Sequence, residues 1–246
     1  MAAKKKTASS SVNLLTPATI EILKNLATIN ETLLFPPGNL LVTRSVKKHT
    51  YAEVTVSETF PLRPSGEKIV VYDLNQFLSV VTQFEKPTLN FEAASEYMVI
   101  SDEVGGMSVK FHYGDESLAY TPDPNKKIEL PSTEVAMQLT EKDSKQIINM
   151  ARTLGTPELA IESDGKNLKL VARDIKNTST NTTELLIGKS PDSTPFSFVW
   201  KIEYLKLLPG TYDLAVSKEG LSRFKHTSLP ITYHIVLEAN SSKYGE

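Results

Sequence analysis

Thr16–Asn30 reads TPATIEILKNLATIN, and Thr140–Leu154 reads TEKDSKQIINMARTL. Set 124 positions apart, the two stretches align Thr16 with Thr140, Asn25 with Asn149 and Ala27 with Ala151. Leu23 falls on Ile147 and Leu26 on Met150, apolar on apolar. Each copy opens with a threonine able to cap free helix N–H groups. Pro17 follows in the first copy, and acidic Glu141 and Asp143 in the second. Ile147, Met150, Ala151 and Leu154 recur at i, i+3, i+4 and i+7, predicting one apolar helix face. Lys142, Lys145, Asn149 and Arg152 fall opposite. Taken alone, such a stripe fits an ordinary solvated face at least as well as a binding face. The repeat itself carries more: one helix design, used twice about half a chain apart, predicts two similar domains.

The chain has 246 residues, enough for one large domain or two ordinary ones. Hydrophobic residues make up 40% and charged residues 23%, which allows a sizeable core. Cysteine is absent, so disulfide staples and thiolate metal sites are excluded. The net charge of −2 argues against a protein held to nucleic acid by global charge. A local basic surface on an acidic body remains compatible with it. The opening MAAKKKTASSSV, residues 1–12, reads as a flexible basic tail without an apolar run of signal-peptide length. No stretch approaches a membrane span.

Between the two helix copies, residues 50–57 alternate Ala52, Val54 and Val56 with Tyr51, Glu53 and Thr55, predicting a half-buried strand. Further strands are expected at 39–46, 67–72, 88–92, 96–101 and 106–113. A second helix is expected over Asp73–Phe84, with Leu74, Phe77, Leu78 and Val81 inward and Gln76, Ser79 and Gln83 outward. Three prolines and Gly114 break the rhythm over 114–131. Domain 1 is therefore read as 13–117, a linker as 118–131 and domain 2 as 132–246. In the second half, strands are expected at 158–163, 167–175, 182–188, 195–200, 211–217, 221–226 and 231–239. A short helix is expected over Lys201–Leu208, stopped by Pro209-Gly210. Strand runs interrupted by few helices give the α+β class.

An ordered set of segments resembles the sliding clamps of T-even-type bacteriophages, the DNA polymerase processivity factors. They are LKNLATIN (23–30), TRSV with TYAE (43–46 and 50–53), YDLNQFL (72–78), PNKKI (124–128), PGTYDL (209–214) and VLEANS (236–241). The resemblance implies two similar domains of the DNA-clamp fold, helices inside and antiparallel sheets outside. It implies a homotrimer closed head to tail around duplex DNA without sequence preference. Its partners would be the replicative polymerase, an ATP-driven clamp loader and late-transcription factors, in the cytoplasm of an infected bacterial host. No cofactor, metal or membrane enters. This chain departs from the family's form in a longer tail and an expanded Phe84–Gly114 region. The alternative is a module of the same fold that binds proteins without embracing DNA, for which the negative net charge speaks.

Against the resemblance, the stripe Lys142, Lys145, Asn149 and Arg152 becomes the expected DNA-facing surface, since sliding needs phosphate contacts and no base reading. Lys201, Lys206, Gln76 and Gln83 are weaker candidates. Lys24 aligns with apolar Ile148 and is set aside. By analogy with clamps, the subunit joint falls on Ser108–Tyr113, with Val109, Phe111 and Tyr113, and on Thr183–Ile187, with Glu184 and Leu186. A pocket for partner peptides is expected around Leu118, Tyr120, Ile128, Leu130, Val236, Leu237 and Ala239. No catalytic constellation stands out in the sequence. His49, His112, His226 and His234 have no metal-ligand spacing, and no glycine-rich phosphate loop precedes a helix. Asp73 reads as a helix cap rather than a catalytic acid.

Overall fold

A computed structural model describes residues 12–245 apart from 93, 120, 121, 123–126 and 178. The basic tail up to residue 11 lies outside the described residues, whereas Val12 already belongs to the first strand. Contacts divide the chain into two units, Met1–Thr43 with Thr55–Pro124 and Arg44–Val54 with Asn125–Glu246. The segment Arg44–Val54 joins the second unit, which sequence order alone does not reveal.

The first unit contains β1 (Val12–Leu14), α1 (Pro17–Ile29), β2 (Leu33–Phe35), β3 (Gly38–Arg44) and the later part of β4 (Thr50–Phe60). It continues through β5 (Ile69–Val71), α2 (Leu74–Val81), β6 (Pro87–Asn90), β7 (Tyr97–Asp102) and β8 (Ser108–His112). One antiparallel sheet has the order β1-β6-β7-β8, and β2 pairs with β5. Ala52, Val54 and Val56 are buried along β4, as the alternation requires, but Tyr51 is buried too. The core is aromatic: Phe35 meets Phe60 edge-on at 4.7 Å, and Phe77 meets Phe111 at 5.4 Å. Such pairs add to area burial through complementary ring edges and faces.

Both α1 and α2 begin on the predicted caps. Thr16 Oγ1 accepts from the Thr19 N–H at 3.3 Å, and Asp73 Oδ1 from the Gln76 N–H at 2.8 Å. The buried carboxylate of Glu58 completes the α1 terminus. It accepts from the Thr16 N–H at 2.7 Å, Thr19 Oγ1 at 2.5 Å and Ser57 Oγ at 2.9 Å. Burial pushes its pKa up, but hydrogen bonds from Thr19, Thr16 and Ser57 outweigh this and hold it below the usual glutamate value.

The second unit contains β9 (Val135–Leu139), α3 (Glu141–Leu154), β10 (Glu158–Ser163), β11 (Asn167–Arg173) and β12 (Thr183–Lys189). It closes with β13 (Phe196–Lys201), β14 (Tyr212–Ser217), β15 (Leu221–His226), β16 (Ile231–Val236) and β17 (Lys243–Tyr244). One sheet has the order β12-β11-β10-β13-β17. In another, β14 lies between β9 and β15, and β15 pairs with β16. The Thr50–Val54 part of β4 then pairs with β16, Val54 opposite Ile231. All these pairings are antiparallel. Trp200 and Phe224 pack edge-on at 5.7 Å in the core, and the indole N–H donates to Ser222 Oγ at 2.8 Å.

The helix expected over Lys201–Leu208 does not form. Lys201 ends β13, and a single 3₁₀ turn, Ile202–Tyr204, follows. The reason is where the backbone of Leu208 finds its partners. Its carbonyl accepts from Tyr212 Oη at 2.6 Å, and its N–H donates to Tyr233 Oη at 3.3 Å. Of these two buried tyrosines, Tyr233 takes the N–H that a helix would aim at the Tyr204 carbonyl, and Thr50 Oγ1 and the Lys206 N–H donate to that carbonyl instead. Burial raises both phenol pKa values well above the ordinary range.

Candidate nucleic-acid interface

The α3 helix is fixed at both ends. Thr140 Oγ1 accepts from the Asp143 N–H at 3.1 Å and donates to Asp143 Oδ2 at 2.6 Å. Asp143 also places negative charge where the helix dipole favours it. At the other end Gly155 takes φ 69°, the left-handed conformation that closes a helix cheaply only with glycine. Ile147 and Ala151 are buried, with Ser144, Ile148 and Leu154 half-buried beside them. Met150, read as part of the apolar face, is instead 46% exposed. The face is centred nearer Ile148, and at 100° per residue Met150 falls on its margin.

Lys142, Lys145, Asn149 and Arg152 are all exposed on the opposite side of α3. Among the described residues, none of the three cations has an ion-pair partner. Several other cations are paired. Lys169 bridges Glu184 at 2.9 Å, Arg173 bridges Glu162 at 2.7 Å and Lys86 bridges Glu103 at 3.2 Å. A cation without a carboxylate partner keeps its charge available to phosphate and has no competing contact to break.

The corresponding face of α1 carries exposed Ala18, Glu21 and Thr28, with Asn25 half-buried. Lys24 is exposed despite its alignment with Ile148, but its ammonium is held by Glu21 at 2.6 Å. On α2, Gln76 and Ser79 are exposed, and Gln83 is exposed just beyond the helix end. Ser79 Oγ donates to the Asn75 carbonyl at 2.8 Å, and Gln83 Nε2 to the Ser79 carbonyl at 3.4 Å. Both are thus partly occupied by their own helix. Lys201 lies 3.8 Å from Glu238 and over the Tyr204 ring, while Lys206 is exposed. Of the three helix faces, only that of α3 carries a row of cations without a salt bridge among the described residues.

The expected joint residues sit on open sheet edges. β8 pairs only with β7 and β12 only with β11 among the described strands. Val109, Phe111 and Tyr113 are half-buried, Glu184 is exposed and Leu186 is 67% exposed. Beside Tyr113, the Arg63 guanidinium lies 5.3 Å from the ring centroid. Burial pushes the Tyr113 phenol up to about 12, only partly offset by Arg63.

Of the expected peptide-pocket residues, Ile128, Leu130 and Val236 are half-buried and Ala239 is exposed. Leu237 is buried in the core, its N–H donating to the Gly220 carbonyl at 2.9 Å. Tyr120 and the Leu118 side chain lie outside the described residues. Sequence reasoning missed the group that shapes the ground beside α3: Tyr212, Tyr233 and His226, which hold the Leu205–Gly210 loop. Only the PGTYDL segment hinted at it.

Two similar helical motifs, each followed by antiparallel strands, give the DNA-clamp fold. Proliferating cellular nuclear antigen from Entamoeba histolytica shares this fold at a TM-score of 0.69 and 11% identity, covering 94% of this chain and all of that one. The chain is similar to bacteriophage sliding clamps. It is 28% identical over 228 residues to the sliding clamp of Escherichia phage RB69, covering 91% of this chain and 96% of that protein. It is 26% identical over 231 residues to that of Vibrio phage KVP40, covering 92% and 99%. A family model described as DNA polymerase processivity factor matches residues 16–97.

Proposed function

We propose that this chain is a sliding clamp that encircles duplex DNA as a homotrimer and tethers the replicative polymerase. The observation that carries the reading is the row of unpaired cations on α3, set on a fold shared with clamps. Diffuse positive charge holds the phosphate backbone without stopping movement along it, because no base edge is read. Asn149 adds a neutral hydrogen-bonder within the row. The protein has no catalytic task in this reading: it converts a dissociating polymerase into a topologically retained one.

The open edges β8 and β12 are the proposed joints between neighbours. A head-to-tail contact of unlike edges closes into a ring when its rotation permits. Loading by an ATP-driven partner and service in late transcription, within the infected bacterial host, are proposed on the phage resemblance. A pocket for partner peptides is proposed around Ile128, Leu130, Val236 and Ala239.

Retention on circular DNA tests the central claim. Protein assembled on nicked circles should survive a high-salt wash and should be lost once the circle is cut. Equal loss from both forms would favour the second reading, a clamp-fold scaffold that binds proteins only. The net charge of −2 is what favours that alternative.

A further inference from the structure

Beside the cationic row, the second unit holds a cleft of about 250 Å³ between α3 and the Leu205–Gly210 loop. Its floor is apolar, made by Ile148, Leu205, Leu207 and Leu208, and its rim carries Lys145, Asn149 and Arg152. Ile148, Leu205 and Leu207 also line a pit of only about 20 Å³ that Trp200 and Phe224 border. Nucleic acid has no use for such a floor. Its backbone needs cations and hydrogen-bond donors, and a sequence-indifferent partner inserts nothing into a pit.

The wall is not a loose loop that happens to gape. Leu208 is held through both backbone groups by Tyr212 and Tyr233, and Pro209 by the His226 ring at 3.3 Å. A rigid wall keeps the cleft open at little entropic cost to a ligand.

We propose that this cleft is a docking site for a short extended acidic peptide segment with apolar residues between its acidic ones. Lys145 and Arg152 are seven residues apart on α3, two turns or roughly 10 Å. An extended chain covers that distance in about three residues. The fitting pattern is therefore acidic, apolar, apolar, acidic, the long glutamate side chains bending from the two faces of the extended segment to Lys145 and Arg152. One of the two apolar side chains then faces Leu207 and Leu208 in the cleft. Glu141 lines the cleft on the other side of Lys145 from Arg152. It disfavours a third acidic residue there and so limits the register.

The cleft uses two cations that the clamp reading gives to DNA. Resting on that reading, occupation by peptide and by duplex exclude each other, so the site would serve the protein when it is off DNA. The docking claim itself does not depend on encirclement.

The test uses the full chain without DNA and the peptide acetyl-Gly-Glu-Leu-Phe-Glu-Gly-amide, followed by methyl NMR. Shifts are expected at Ile148, Leu205, Leu207 and Leu208. Affinity should fall at least tenfold for the peptide with Gly-Gly in place of Leu-Phe, and for the peptide with lysines in place of glutamates. Lys145→Glu should weaken the original peptide at least tenfold and improve the lysine peptide. Ser144→Phe, chosen to block the cleft from α3, should abolish the methyl shifts while circular dichroism and melting confirm folding. Absence of saturable shifts in the wild type would overturn the proposal, as would shifts insensitive to both peptide changes. A duplex that moves the same methyls as strongly as the peptide would assign the cleft to nucleic acid instead. Loss of retention on circular DNA, with peptide binding intact, would sink only the encirclement reading.

Discussion

Gly210 lies directly under the imidazole of His226, so close that a β-carbon at position 210 would overlap three ring atoms. Its φ of +152° is also one that side-chain-bearing residues rarely adopt. The ring cannot simply move away. Nδ1 accepts from the N–H groups of Ser228 and Leu229, each at 3.1 Å, which leaves Nε2 to carry the proton and donate to the Pro209 carbonyl at 3.3 Å. One histidine thus ties the end of the Leu205–Gly210 loop to the turn after β15.

Gly210→Ala should therefore destabilise the protein by about 2–4 kcal/mol, combining steric overlap with a strained backbone. Urea unfolding would measure it. Adding His226→Ala should recover part of the loss, because the overlap goes and the backbone strain stays. Strict additivity of the two substitutions would mean that the glycine matters for φ alone.

Reversing Lys142, Lys145 and Arg152 together should leave folding unchanged, since all three point away from the buried face. Clamp-dependent synthesis should fall, and each lost phosphate contact should lower the salt-dependence slope by about 0.9. Primer extension at several salt concentrations reads both. The same reversal at Lys24 should do little, because its charge is already neutralised by Glu21. Equal effects at the two sites would remove the distinction between α3 and α1.

What the sequence disclosed was whatever local chemistry decides. Thr16, Asp73 and Thr140 cap their helices through contacts three residues away, and Gly155 ends α3 by its own φ. The alternation of Ala52, Val54 and Val56 survived because one face of β4 is buried along its length. Long-range pairing hid the rest. β1, β2 and β17 are two or three residues long, too short for a period, and exist only because a partner strand is waiting. The Lys201–Leu208 segment has helical spacing, but Tyr233 and Thr50, both distant in sequence, take the Leu208 N–H and the Tyr204 carbonyl. The cationic row was legible as a pattern. That its members are unpaired was not, since pairing depends on which carboxylates the fold brings near.

At the proposed peptide pocket, Ile128→Ala should weaken binding of a polymerase C-terminal peptide by about 1–2 kcal/mol, as truncation of an apolar anchor does. Isothermal titration of the folded variant gives the number. Val236→Ala should have a smaller effect, because valine offers less side chain to remove. Unchanged affinity in both would move the pocket away from this part of the second unit.

Proline at Val109 or Leu186 should loosen the proposed ring. Each residue lies on an open edge strand, and proline removes a ladder donor and fixes φ. Leu186→Glu tests the same joint without touching the backbone, by placing a charge where a 67% exposed leucine would be covered by a neighbour. Analytical ultracentrifugation at falling concentration should show all three variants dissociating at least tenfold more readily than the wild type. Full trimer at the lowest concentration would place the joint on other strands.

Acid should weaken the second unit first through His234. The imidazole is buried on β16 opposite Arg223, packed on Tyr51, and neither ring nitrogen has a hydrogen-bond partner. Burial, and secondarily the Arg223 charge, press its pKa from 6.5 down to about 4. Between those values the unfolded chain binds a proton that the folded chain refuses. Stability therefore falls as pH falls across that window, by about 3 kcal/mol at most, and this contribution flattens below it. Glu58 acts in a lower window, because its folded pKa lies below the ordinary 4.5. Its stabilisation is present above that value and is lost as pH drops through the folded one. Chemical denaturation of His234→Phe should show a flatter stability profile between pH 6.5 and 4, with the more acidic decline intact. Glu58→Gln should be less stable at neutral pH and should lose part of that more acidic decline. An unchanged profile in His234→Phe would mean that the imidazole finds a partner or water on protonation, contrary to its burial here.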